Sequence, residues 1–157
     1  MKTKPFAALC AAVTTLGAAQ AETVCTAASL RGNWVVSAVA PGGSPTSICE
    51  VSVDRRGRFA GDCITTDPDG SGGVVTLTPE TRGRLSMRAG CRVIGTFELN
   101  DPLYGWTSAS IEGWVWAPTA DVPTAGRLLM TQPFQGQNLH LIVDLMRRHP
   151  NTTPITE

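Results

Sequence analysis

Lysine is almost absent from the chain: Lys2 and Lys4 are the only two in 157 residues. All later cations are arginine, and they leave a mild net negative charge against the carboxylates. That balance does not suit generic electrostatic binding of nucleic acid. Charged residues are scarce at 17%, below the usual ~25%, and aromatics make up 6%. No apolar run approaches the ~18–20 residues of a membrane-spanning helix, so no transmembrane segment is expected. There is no Cys-x-x-Cys pair, which argues against a zinc site or a thioredoxin-like redox centre. Gly-x-Ser-x-Gly, His-Glu-x-x-His, a Walker loop and a dinucleotide fingerprint are all missing. The two histidines are His140, in a predicted strand, and His149, near the end of the chain. The chain therefore reads as non-catalytic, without catalytic residues, metal or cofactor.

What is present begins with a targeting segment. Lys2 and Lys4 precede an alanine-rich apolar stretch, Phe6 to Ala19, and Ala19-Gln20-Ala21 is a small-x-small cleavage site. Residues 1–21 read as a secretory signal peptide and are set apart from the fold. Cys10 leaves with them. Leu9 is too bulky for a lipobox, so a lipoprotein anchor is not expected. The protein is expected to be secreted or periplasmic. Cys25, Cys49, Cys63 and Cys91 remain, an even number in an exported domain, which implies two disulfides.

Beyond the signal peptide, helix signals are nearly absent and period-2 alternation recurs between turn signals. Asn33–Ala40, Thr46–Val53, Arg58–Ile64, Val74–Thr78, Arg84–Ala89 and Cys91–Leu99 read as strands, as do Gly105–Ala117, Gly126–Thr131 and Asn138–Met146. Leu85, Met87, Ala89, Cys91, Val93, Gly95, Phe97 and Leu99 share one face. Arg84, Ser86, Arg88, Arg92, Thr96 and Glu98 share the other. This is the all-β pattern of a single antiparallel up-and-down β-barrel of about eight strands, a closed form that removes edges. A two-sheet β-sandwich is the alternative. The barrel domain is expected over 22–146 and a polar tail over 147–157.

Asp54-Arg55-Arg56-Gly57 reads as a hairpin turn. Glu80-Thr81-Arg82-Gly83 reads as a second, similar turn at an offset of 26 residues. Counting outward from the first turn brings Cys49 nearly opposite Cys63. Pairing them leaves Cys25 for Cys91, in the middle of the long alternating strand. Thr65–Gly73 reads as a solvated loop. Its Asp67-Pro68-Asp69-Gly70-Ser71-Gly72 imitates the opening of a calcium loop, but the twelfth position is Thr78 and not Glu.

Two candidate surfaces stand out. Tyr104, Trp106, Trp114 and Trp116 share parity with Glu112 on one predicted strand, an aromatic wall for a ligand or partner. The alternative is ordinary barrel core and girdle packing; against it stand Glu112 on the same face and the opposite parity, Ala109, Ile111, Gly113, Val115 and Ala117, which is apolar and small enough for the core. Arg55, Arg56 and Arg82 mark a possible basic tip formed by the two turns.

Leu30-Arg31-Gly32-Asn33-Trp34-Val35-Val36-Ser37 resembles the opening of the small periplasmic inhibitors of serralysin-type metalloproteases. The likeness continues at Cys49-Glu50-Val51-x-Val53 and Phe59-Ala60-Gly61-Asp62-Cys63, and covers about 35 residues of the N-terminal half. It implies an eight-stranded barrel whose N-terminal segment, here Glu22–Ser29, inserts into a protease cleft. The chain departs from that family in carrying Cys25, which would tether the segment, and in its longer, tryptophan-rich second half. More loosely, the Gly-x-Trp strand is similar to that of avidin-like and lipocalin-like barrels. The expectation is a non-catalytic exported binding protein, most concretely an inhibitor of an exported protease. The alternatives are a barrel that carries a small apolar or aromatic ligand and a self-associating envelope protein. The sequence sets no oligomeric state.

Overall fold

A computed structural model describes residues 25–43, 46–102, 105–116, 122–134 and 136–148. The signal segment, Tyr104, and residues 149–157 lie outside them. The described residues contain nine strands and two short 3-10 turns, with no α-helix. The strands are β1 Gly32–Val39, β2 Thr46–Val53, β3 Arg58–Pro68, β4 Val74–Leu77, β5 Glu80–Arg88, β6 Arg92–Asp101, β7 Gly105–Trp116, β8 Ala125–Phe134 and β9 Gln137–Arg147. Each pairs antiparallel with its neighbours, and β1 pairs with β9, so the meander closes on itself. The chain folds as the closed eight-stranded antiparallel barrel.

Eight walls arise from nine strands because β4 and β5 share one wall, interrupted at Thr78-Pro79. Both pair with β3, β4 along residues 65–68 and β5 along residues 58–62. The Cys63 amide donates to the Pro79 carbonyl across the break at 2.9 Å. The reversal expected at Glu80–Gly83 is therefore absent. Those residues lie within β5, and Thr81 faces inward. Gly83 suggests a turn by residue type, but its role is volume. The Phe59 ring and the Thr96 carbonyl fill the space that a side chain there would need.

The loop expected over Thr65–Gly73 is also shorter than its composition suggests. β3 runs to Pro68, and Asp69 closes the tight turn that follows. Its carboxylate accepts from the amides of Ser71 and Gly73 and from the Ser71 hydroxyl. Those donors hold the Asp69 carboxyl below the ordinary carboxylate range. The β5–β6 reversal falls at Ala89–Cys91, where Gly90 and Cys91 both take positive φ.

Both disulfides form as paired. Cys49 and Cys63 are register partners across β2 and β3. Cys25 and Cys91 join with a Cα–Cα separation of 5.1 Å. Cys91 sits at the turn between β5 and β6 and not within a long strand, so the bond ties the N-terminal segment to one end of the barrel.

Alternation decides which residues fill the interior. On β7, Ala109, Ile111, Gly113 and Val115 point inward and Trp106, Trp114 and Trp116 point outward. Large and small residues oppose one another across neighbouring strands, as Leu85 with Gly95 and Val93 with Gly113. Each buried aliphatic side chain contributes ~1.5–3 kcal/mol.

One end of the barrel is plugged. The first 3-10 turn, Ala27–Leu30, places Leu30 over the interior at 1% exposure. The Trp34 indole donates to the Leu30 carbonyl at 2.7 Å. The Arg147 guanidinium lies 4.9 Å from the centre of the Trp34 ring and donates to the Ser29 carbonyl at 2.6 Å. Arg147, placed by its sequence context in a polar tail, is thus the last residue of β9 and part of the plug. Burial lowers its pKa below the usual arginine value. No helix among the described residues is long and apolar enough to cross a membrane.

Candidate functional site

Above the plug, side chains do not fill the barrel. A cavity of about 290 Å³ runs up its axis. Its lower wall is apolar and includes Leu30, Trp34, Val53, Leu85, Leu128 and Leu145. The volume lies just below the ~300–1,000 Å³ typical of ligand pockets.

The cavity's upper rim is polar. The inward parity of five strands ends there in a hydrophilic residue: Ser47 on β2, Thr65 and Asp67 on β3, Asp101 on β6, Thr107 on β7 and Gln132 on β8. Most of the hydroxyls already have partners. Ser47 and Thr65 hydrogen-bond each other at 2.8 Å, and Thr107 donates to the Leu99 carbonyl. Asp101 is 8% exposed. Among the described residues, the Asp67 carboxylate has neither a hydrogen-bond donor nor a cation beside it. Partial burial raises its pKa above the ordinary aspartate value, and the nearby Asp101 charge adds to the shift.

The sequence passes over these rim residues because Asp67 and Asp101 both sit next to proline in turn-like composition. The signal was there. The inward parity of Phe59, Gly61, Cys63 and Thr65 continues to Asp67, and that of Val93, Gly95, Phe97 and Leu99 continues to Asp101.

The described residues of the predicted aromatic wall, Trp106, Glu112, Trp114 and Trp116, lie on the outer surface. Trp106 is 46% exposed, and Trp114 and Trp116 are each 53% exposed. They do not form one wall. Trp106 sits at the mouth end, where the Arg82 guanidinium stacks 3.9 Å over its ring and also bonds Glu98. Trp114 and Trp116 sit eight or more residues away along the strand, ~26 Å or more, at the plugged end. Glu112 lies on the same outer face and pairs with Arg92. Asp144 on β9 is held by Arg127 on β8 at 2.7 Å.

The basic tip does not assemble as three residues. Arg55 and Arg56 occupy the exposed β2–β3 turn at the plugged end, whereas Arg82 pairs within the β5–β6 wall.

A closed antiparallel barrel with one plugged end, an apolar cavity and a polar mouth defines the class of molecule. No family model, curated protein or solved structure matches this chain, so the site is read from its own geometry.

Proposed function

We propose that the protein is an exported, non-catalytic carrier that holds a small, largely apolar ligand inside its barrel. The observation that carries this reading is the cavity, apolar below, polar at the rim and closed underneath by Leu30 and the Trp34–Arg147 pair. A plugged base makes the site a cup with a single polar entrance. The two disulfides suit an oxidising compartment, secreted or periplasmic.

The neutral fluorophore N-phenyl-1-naphthylamine tests it. The probe should brighten with saturation on binding the folded protein. Ala38→Trp, which fills the cavity from β1, should abolish the signal. Failure of the wild-type protein to bind this probe or any other apolar molecule of its size would rule the reading out.

Protease inhibition is the second reading, favoured by the Leu-x-Gly-x-Trp resemblance. Against it, Cys25 is bonded to Cys91 and residues 27–30 form the plug. That leaves Glu22, Thr23 and Val24 between the expected cleavage site and the tether. Titration of a serralysin-type protease with the purified protein decides the point, and full activity at micromolar concentrations removes the reading.

A further inference from the structure

We propose that the cavity selects an amphipathic organic cation, with its apolar body inside the barrel and its ammonium head at the rim beside Asp67 and Asp101. The inference rests on reading the cavity as a ligand site, and it adds the charge of the ligand.

Among the described residues the lining contains two carboxylates and no lysine, arginine or histidine. An anionic ligand would bring a further negative charge beside Asp67, which has no cation beside it among the described residues, and like charges in a partly desolvated site repel strongly. A neutral ligand would leave Asp67 as it is, half-buried with no donor of its own. An ammonium group supplies what the rim lacks, since it offers several N–H donors and a compensating charge. The other rim groups fit the same assignment. The Gln132 amide has no side-chain partner among the described residues, and its carbonyl can accept from the same head group. The Ser47, Thr65 and Thr107 hydroxyls already bond to each other or to backbone, so they offer few donors to an anion.

Arginine is also kept away from this end of the interior. Arg82, Arg92 and Arg127 lie on the outside, each paired with a carboxylate. Arg147 is inward but at the plugged end, held by Ser29 and Trp34. Among the described residues, a cation entering the mouth therefore meets acceptors at the rim and no inward-facing guanidinium until the base.

Competition against N-phenyl-1-naphthylamine tests the inference with three isosteres of one chain length: octylammonium, octanol and octanoate. Octylammonium should displace the probe at a concentration about tenfold or more below that of octanol, with octanoate the weakest. Asp67→Asn should remove the advantage of octylammonium over octanol. If octanol or octanoate displaces the probe from wild-type protein as well as octylammonium does, the charge inference is overturned while the cavity reading stands. If the probe does not bind wild-type protein at all, both fall. The comparison among isosteres uses wild-type protein alone, so it holds even if the variant folds poorly.

Discussion

Asp67 shows at the scale of one residue how a group at the cavity rim can oppose stability. Its carboxyl holds a proton more readily in the folded protein than in the unfolded chain, because burial and the Asp101 charge both disfavour the anion. A group whose folded pKa is raised binds more protons in the folded state. Its contribution is therefore unfavourable above the folded pKa and disappears below the unfolded pKa. Asp67→Asn should raise Tm at neutral pH, and the gain should vanish as the pH falls through the carboxylate range. Melting curves of both proteins across that range check the sign. Trp34 is the opposite case, a residue held by everything around it. Trp34→Phe keeps most of the apolar volume but leaves the Leu30 carbonyl without its donor, and should cost about 1–3 kcal/mol in urea unfolding. Arg147→Ala should also destabilise, since it removes the bond to Ser29 and the packing on Trp34.

The elements are set by alternation, and the alternation tolerates no addition where strands press together. A β-carbon at Gly83 would meet both the Thr96 carbonyl and the Phe59 ring. Gly83→Val should destabilise by about 1–3 kcal/mol or more, whereas Ala60→Val on the outer face of the neighbouring strand should stay within about 0.5 kcal/mol. Chemical denaturation of the pair separates interior volume from strand propensity. The disulfides constrain the chain to different degrees. The Cys49–Cys63 bond closes a separation of 14 residues and the Cys25–Cys91 bond one of 66. Chain entropy assigns them about 3 and about 4 kcal/mol. Replacing Cys25 and Cys91 by serine should speed amide exchange at residues 27–30 well before it does so within β2 and β3. The same alternation explains which elements were legible in the sequence. Parity placed β2 and β6 with their correct faces, and on β7 it separated the two faces without deciding which one is inside. It failed at Glu80–Gly83 because glycine serves turns and tight strand contacts alike, and residue type does not say which.

For the whole molecule, closure separates an inner surface from an outer one. Trp114 and Trp116 are on the outer surface, so replacing both with serine should leave stability within about 0.5–1 kcal/mol and N-phenyl-1-naphthylamine binding unchanged. Size-exclusion chromatography of the same variant reports whether the outer tryptophans join copies of the chain: a shift to lower mass would reveal a self-association that carries no cavity function. The sequence by itself determined the all-β class, the inside and outside faces of most strands, and the pairing of Cys49 with Cys63. All three follow from local period and from short separation along the chain. Only the tertiary structure decided that Asp67, Asp101 and Gln132 share one rim and that Leu30, Trp34 and Arg147 close the other end. The rim residues come from β3, β6 and β8, and Arg147 joins Leu30 and Trp34 at the plug from the far end of the chain, so bringing them together depends on the register and closure of the whole barrel. Hydrophobic period fixes which way a side chain points, but it carries no information about how far a strand slides past its neighbour or which residues meet across the barrel axis.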